Sequence, residues 1–524
     1  MKRYTQKILI IGLAVLFFMP LACEQGLDVT NPNDPTPEIV QTEEGLKRQA
    51  LGIWVAPPGF LGLPGGGGWA WFGWSLHEAM GDNIVMPWIN FDWNRFFGNI
   101  ELIEYSDGTA PWSPRDQANP ARSQAEWAGF VNDRQITAGG YEVQWETAYS
   151  FNKEANRMLA ALDEGIQFSS NAQQKEEAYR AWAHFWKGYA YALVGLFYDQ
   201  GIISDDPLDT NNDFKTSAEM IAAAQAELDL ALQTASSYGA IANDVVPNFF
   251  PTNVNAQSFI QNIYTLKARA LLMSKRREDI STAEWTQIRD WANQGLMAND
   301  GAFLIESDES TYLTTVTHRW RLATNIWHRV SARVIQIMSE NNDARLDRFQ
   351  FDSGGGTFAN RVTQPQINSP WLTLPTSPYA AQSPGTAPQF VLSAEENMLM
   401  LAEAELGLGN PDVAAQWVNE VRNMPLQQAG LPDMTTATLQ DIRNERKVAL
   451  FGRALAFYDA RRLGEIDARS EGGGIQDVWV YHIDGNGDLV LDTDADIYFD
   501  FLDYYAIPDA ESDFNPSADV GPEM

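Results

Sequence analysis

A single cysteine, Cys23, serves all 524 residues, so no disulfide can staple the fold and packing must hold it. The body of the chain also has no thiol nucleophile. Histidine is nearly as scarce: His77, His184, His318, His328 and His482 show no HExxH or other metal-ligand spacing. Positive charge is short too, with 36 Lys and Arg against 69 Asp and Glu, a net charge of -33. Nucleic-acid binding needs basic patches, and the densest one here is the short "KRR" of 275–277. There is no G-x-S-x-G elbow, and "GLPGGGGWAW" lacks the Lys-Ser/Thr that makes a glycine loop cradle phosphate. Carboxylate pairs are so abundant among 69 acids that none marks a glycosidase by itself.

Long apolar runs are missing as well, apart from "ILIIGLAVLFFM" at 8–19. A membrane-spanning helix needs about 20 such residues, so this run is too short to cross. Lys2, Arg3 and Lys7 precede it and Ala22 follows it, the layout of a secretory signal over residues 1–22. "Leu21-Ala22-Cys23" resembles the site where a bacterial lipoprotein is cut and acylated on its cysteine. One acyl chain binds a membrane only marginally, but the lipidated cysteine of that class carries several, which makes a durable anchor. Residues 23–40 then read as a lipidated terminus and tether, because Pro32, Pro35 and Pro37 interrupt regular hydrogen bonding.

What is present is helix. Thr42 reads as the cap of a first helix. Periodicity returns near Gly140 and continues, with short breaks, to about Gly295. In "KEEAYRAWAHFWKGYAYALVGLFYD", Tyr179, Trp182, Trp186, Tyr189 and Leu193 form one apolar stripe, which reads as core. Residues 394–422 read as two helices joined at "GLGN", with Gly409 ending the first and Pro411 opening the second. This resembles a tetratricopeptide unit, and 264–296 resembles a weaker one. The expected fold is therefore mainly α, an array of helical hairpins with long irregular loops. One such loop is 350–390, which carries six prolines. Near the C-terminus, "VWVYHI" and "LVL" around "DGNG" predict a β-hairpin.

The segment 439–466, "LQDIRNERKVALFGRALAFYDARRLGEI", carries a firmer signal. Through Ile442, Arg443, Glu445, Arg446, Arg453, Asp459, Arg461 and Arg462 it resembles the C-terminal helix signature of the SusD/RagB family of outer-membrane nutrient-uptake lipoproteins. "YYAIPDAESDFNPS" at 504–517, "LDVTNPNDPTP" after the cysteine and the aromatic helix at 175–199 resemble other parts of that family. The resemblance implies a SusD-like α/α superhelix with an N-terminal lobe over 41–310 and a C-terminal lobe over 311–524. It also implies a binding protein, not an enzyme, lipid-anchored on the outer face of the outer membrane. Its partners would be a SusC-like TonB-dependent transporter and an oligosaccharide or peptide ligand. The helical repeats would then meet the transporter, and the irregular segments the ligand.

Within 439–466, helical periodicity places Arg446 and Arg453 on one apolar face, where a guanidinium needs acidic partners. Glu403 or Glu405 of the preceding hairpin are the expected ones. The ligand surface is expected in 69–97, which holds five of eighteen tryptophans. Exposed indoles beside polar anchors suit the flat C–H faces and hydroxyl rims of sugars. Trp69, Trp71, Trp88, Trp93, Asn94 and Arg95 are the first candidates, and Trp320, Trp371 and Tyr379 the second. No cofactor is expected. Asp484, Asn486 and Asp488 match the first ligands of a calcium loop, but Leu489 and Ala495 stand where Gly and Glu belong, so the hairpin reading is preferred. A surface-anchored glycoside hydrolase and a ligand-free tetratricopeptide scaffold are the competing functions.

Overall fold

Helices begin where the sequence sets Ser or Thr three residues ahead of an acid. In the computed structural model Thr216 and Glu219, Ser281 and Glu284, and Thr438 and Asp441 close reciprocal capping boxes. Thr42 caps the first helix by accepting from the Gly45 N–H at 3.0 Å, as its position predicts. The structure describes residues 41–53, 74–85, 100–112, 139–206, 211–245, 254–307, 329–351, 371–373, 387–484, 486, 488–499, 503–505, 507–508, 511 and 515.

The longer helices are α1 (Glu43–Gly52), α2 (Trp74–Met80), α3 (Gly139–Glu164), α4 (Ala172–Phe197), α5 (Ser217–Thr234), α6 (Ala256–Met273) and α7 (Thr282–Ala292). They continue with α8 (Ala332–Asn341), α9 (Ala394–Gly407), α10 (Pro411–Asn423), α11 (Leu439–Ala449) and α12 (Ala456–Arg462). Neighbours in sequence pack as hairpins, α3 on α4, α4 on α5, α6 on α7 and α9 on α10, and α7 stacks on α9. Gly409 takes a φ of +84° between α9 and α10, and Pro411 opens α10. The helical-hairpin expectation holds at both places where it was read.

Helix α4 is the centre of the core. Tyr179, Trp182, Trp186 and Tyr189 are buried and Leu193 partly so, but the burial extends well beyond that stripe. Nearly every residue from Ala178 to Phe197 is covered, because α3 and α5 flank α4 and α1 reaches it through Trp182 Nε1, which donates to the Ala50 carbonyl at 3.0 Å. Trp182 meets Trp186 edge-on at 5.6 Å and Phe303 at 5.7 Å, joining this helix to residues just after α6 and α7. Burying each such ring stabilises the fold by about 1.5–3 kcal/mol.

The strands are short and antiparallel. β3 (Gln200–Ile202) pairs with β4 (Phe214–Thr216). β1 (Ile84–Val85) pairs with β6 (Arg329–Val330), β5 (Leu304–Ser307) with β9 (Ala387–Phe390), and β7 (Phe349–Phe351) with β8 (Trp371–Thr373). The predicted C-terminal hairpin is present as β10 (Ile475–Ile483) and β11 (Leu489–Phe499), and β2 (Ile100–Glu104) adds a third strand that local pattern did not reveal. Among the described residues, no helix is long and apolar enough to cross a membrane.

One expectation fails in an instructive way. The segment 439–462 is two helices, not one, broken over 450–455 by Gly452 (φ +75°) and Ala454 (φ +59°). Arg453 therefore leaves the apolar face and lies in the turn. Arg446 stays buried, but its Nε donates to Asp459 Oδ2 at 2.9 Å, whereas Glu403 takes both Nη groups of Arg462 at 2.5 and 2.6 Å. Glu405 accepts from Asn410. The guanidinium partners thus come from α12 and α9 in a pattern set by the break.

Candidate functional site

The turn 450–455 organises the surface around it. Glu78 of α2 is fully buried and accepts backbone N–H groups of Gly452 at 3.0 Å and Ala454 at 2.9 Å, besides the Asn83 amide at 2.7 Å. Burial pushes its carboxyl above the usual range, and these three donors with Lys447 pull it back. Lys447 donates to the Gly81 carbonyl at 2.7 Å, and a Cβ on Gly81 would fall 2.3 Å from the Ala456 backbone. The stretch 74–85 is in this way locked onto the α11–α12 turn.

Two clefts flank the turn, and Leu455 borders both. The first, about 30 Å³, is lined by Asn83, Arg333, Arg443, Arg446, Lys447, Asp459 and Glu465 among others. Most of its charges are matched. Glu465 accepts both Nη groups of Arg333 at 2.8 and 2.9 Å and is held far below the usual carboxylate range chiefly by Arg333 against the cost of burial. Lys447 is driven down to about 8, first by burial and then by Arg333. Among the described residues, the Nη groups of Arg446 and Oδ1 of Asn83 have no hydrogen-bond partner.

The second cleft, about 40 Å³, lies on the other side, between α3, α4, α6 and the turn. His77, Gln144, Tyr189, Arg269, Arg453 and Tyr458 supply its polar wall. Arg269 is fully used, its guanidinium clamped on Glu396 and donating to the Val391 carbonyl at 2.7 Å. Arg453 stands 4.1 Å from the centroid of the Phe390 ring.

Cys23, Trp69, Trp71, Trp88, Trp93, Asn94, Arg95, Trp320 and Tyr379 lie outside the described residues. Trp371 starts β8, opposite Phe351. Asn83 precedes β1 and lines the first cleft; Val391 follows β9 and lines the second.

Asp484, Asn486 and Asp488 form the turn of the β10–β11 hairpin. Asp484 Oδ1 accepts the backbone N–H groups of Asn486 and Asp488 at 2.8 and 2.9 Å, and its own N–H donates to the Asp488 carbonyl at 2.9 Å. The carboxylate is engaged in shaping the turn. Among the described residues no group of three or more His, Cys, Asp or Glu is placed to hold a metal. The residues that sequence reasoning missed are those of the second cleft. Tyr189 reads as core and Arg453 as a buried structural arginine, and His77, Gln144 and Tyr458 carry no motif at all.

Residues 395–517 match the SusD family model. No curated protein sequence matches the chain. Among solved structures, a SusD-like carbohydrate-binding protein from Bacteroides fragilis superposes with a TM-score of 0.61 at 14% identity, covering 91% of this chain and 99% of that one. A putative sugar-binding protein from Bacteroides vulgatus gives 0.60 at 14% identity, covering 91% and 98%. Surface glycan-binding protein A from Bacteroides uniformis gives 0.56 at 16% identity, covering 91% and 99%. The C-terminal part of the chain thus matches the SusD family model, and its fold is shared over nine-tenths of its length with a SusD-like structure.

Proposed function

We propose that this protein is a glycan-binding lipoprotein, anchored through Cys23 on the outer face of the outer membrane. It captures oligosaccharides and passes them to a SusC-like TonB-dependent transporter. The observation that carries this reading is the fold, common to structures described as carbohydrate- or glycan-binding across nearly their entire length. Binding is proposed over hydrolysis because structures that share this fold are described as carbohydrate- or glycan-binding.

The test follows retention of residues 24–524 on immobilised polysaccharides, with Trp88→Ala and Trp93→Ala beside the parent. Aromatic anchors at the centre of a site cost about 2 kcal/mol or more on truncation, so each variant should bind at least about tenfold more weakly with an unchanged melting temperature. Early melting with normal binding by the folded fraction would make those tryptophans core. Failure of the parent to bind any glycan would overturn the function.

A further inference from the structure

We propose that the second cleft is a subsite for an acidic sugar, a hexuronate whose carboxylate sits on Arg453 and whose hydroxyls meet His77, Gln144, Tyr189 and Tyr458. The assignment rests on the glycan-binding reading above and narrows it. Buried polar groups in folded proteins are nearly always hydrogen-bonded. Four polar side chains share this cleft, His77 and Gln144 each 2% exposed, Tyr458 4% and Tyr189 7%, and one buried atom among them departs from that rule. His77 Nδ1 has no partner. Among the described residues, no protein group hydrogen-bonds the side chain of Gln144, Tyr189, Tyr458 or Arg453. Each can donate, and all but Arg453 can also accept, as sugar hydroxyls do.

Charge decides which sugar. In a chain of net charge -33, the described residues that line this cleft include two arginines and no carboxylate. Arg269 is neutralised by Glu396, so the unmatched charge is that of Arg453. Its guanidinium is held over the Phe390 ring, leaving the fork of N–H groups to grip a planar carboxylate. His77 adds no competing charge: burial, with Arg461 and Arg269 nearby, lowers it to about 3, so it is a neutral imidazole.

Calorimetric titration of residues 24–524 with a galacturonate oligomer, a glucuronate oligomer and their carboxyl-reduced counterparts tests the assignment. One of the acidic oligomers should bind at least tenfold more tightly than its reduced form. Arg453→Gln should bring that ratio close to one without lowering the melting temperature, and Tyr458→Phe should weaken acidic and reduced forms by a similar factor. A preference for acid that survives Arg453→Gln overturns the subsite. So does binding of other glycans with indifference to both acidic oligomers, the result expected if water alone fills the cleft, and it leaves the glycan-binding function standing. A chain that retains no glycan of any kind removes the function as well. Arg453-dependent binding of a short peptide through its C-terminal carboxylate, without binding of either oligomer, overturns the sugar assignment.

Discussion

Asp199 sits where α4 gives way to β3, its N–H donating to the Tyr505 carbonyl and its own carbonyl accepting from Ser217, both at 3.0 Å. Its side-chain Oδ1 is buried without a partner. Burial pushes this carboxyl up to about 6, more than backbone N–H groups can offset. A raised carboxyl pKa means that the folded state resists ionisation. The stability is intact below the unfolded value, near 3.8, and is lost as the pH climbs through the folded one. Asp199→Asn should therefore stabilise the protein at pH 7.5, by about 1 kcal/mol once solvent screening is allowed for, and change little at pH 3.5. Denaturant melts at the two pH values check this, and an equal gain at both would rule the mechanism out. The buried pairs behave differently, since Arg462 with Glu403 and Arg333 with Glu465 each gain two parallel hydrogen bonds. That these arginines need acids is legible in the sequence; which acid each one takes is not, because it depends on where α11 stops.

At the scale of elements, the α9–α10 hairpin shows both kinds of glycine. A Cβ on Gly409 would meet nothing within 4 Å, yet the φ of +84° strains any other residue. Gly407 has an ordinary helical backbone, but its Cβ would fall 2.6 Å from the Trp285 ring of α7. Gly407→Ala should cost about 1–3 kcal/mol through overpacking, and Gly409→Ala about 1–2 kcal/mol through strain. In a Trp285→Leu background the first cost should largely vanish and the second persist, a coupling that a double-mutant cycle measures. Equal costs in both backgrounds would contradict the packing argument. Gly409 and Pro411 announce the hairpin in the sequence, whereas the close approach at Gly407 depends on a tryptophan far away in the chain. The α11–α12 break is hidden for a related reason. Apolar residues keep helical spacing through 450–455, and Ala454, a strong helix former by itself, is held left-handed by the Glu78 carboxylate gripping its N–H.

Taken as a whole molecule, the protein uses its scarce cations sparingly. Buried cations are paired in several parts of the fold, as Lys187 with Glu227, Arg269 with Glu396, Arg345 with Glu445 and Arg462 with Glu403, and an acidic surface remains. The helical array and the family signature at its end were readable because both depend on local spacing. The cleft beside the turn was not, because His77, Gln144, Tyr189, Arg453 and Tyr458 come from four separate stretches and each passes singly for core or structural support. The central claim is capture of glycan at the cell surface, and it is tested most directly in cells carrying the parent chain, the Cys23→Ala chain or neither, exposed to a fluorescent oligosaccharide that the purified protein retains. Cells with the parent chain should hold the label and surrender it to excess unlabelled oligosaccharide, while Cys23→Ala cells release the protein from the membrane fraction and stay dark. Equal labelling of all three would contradict the account.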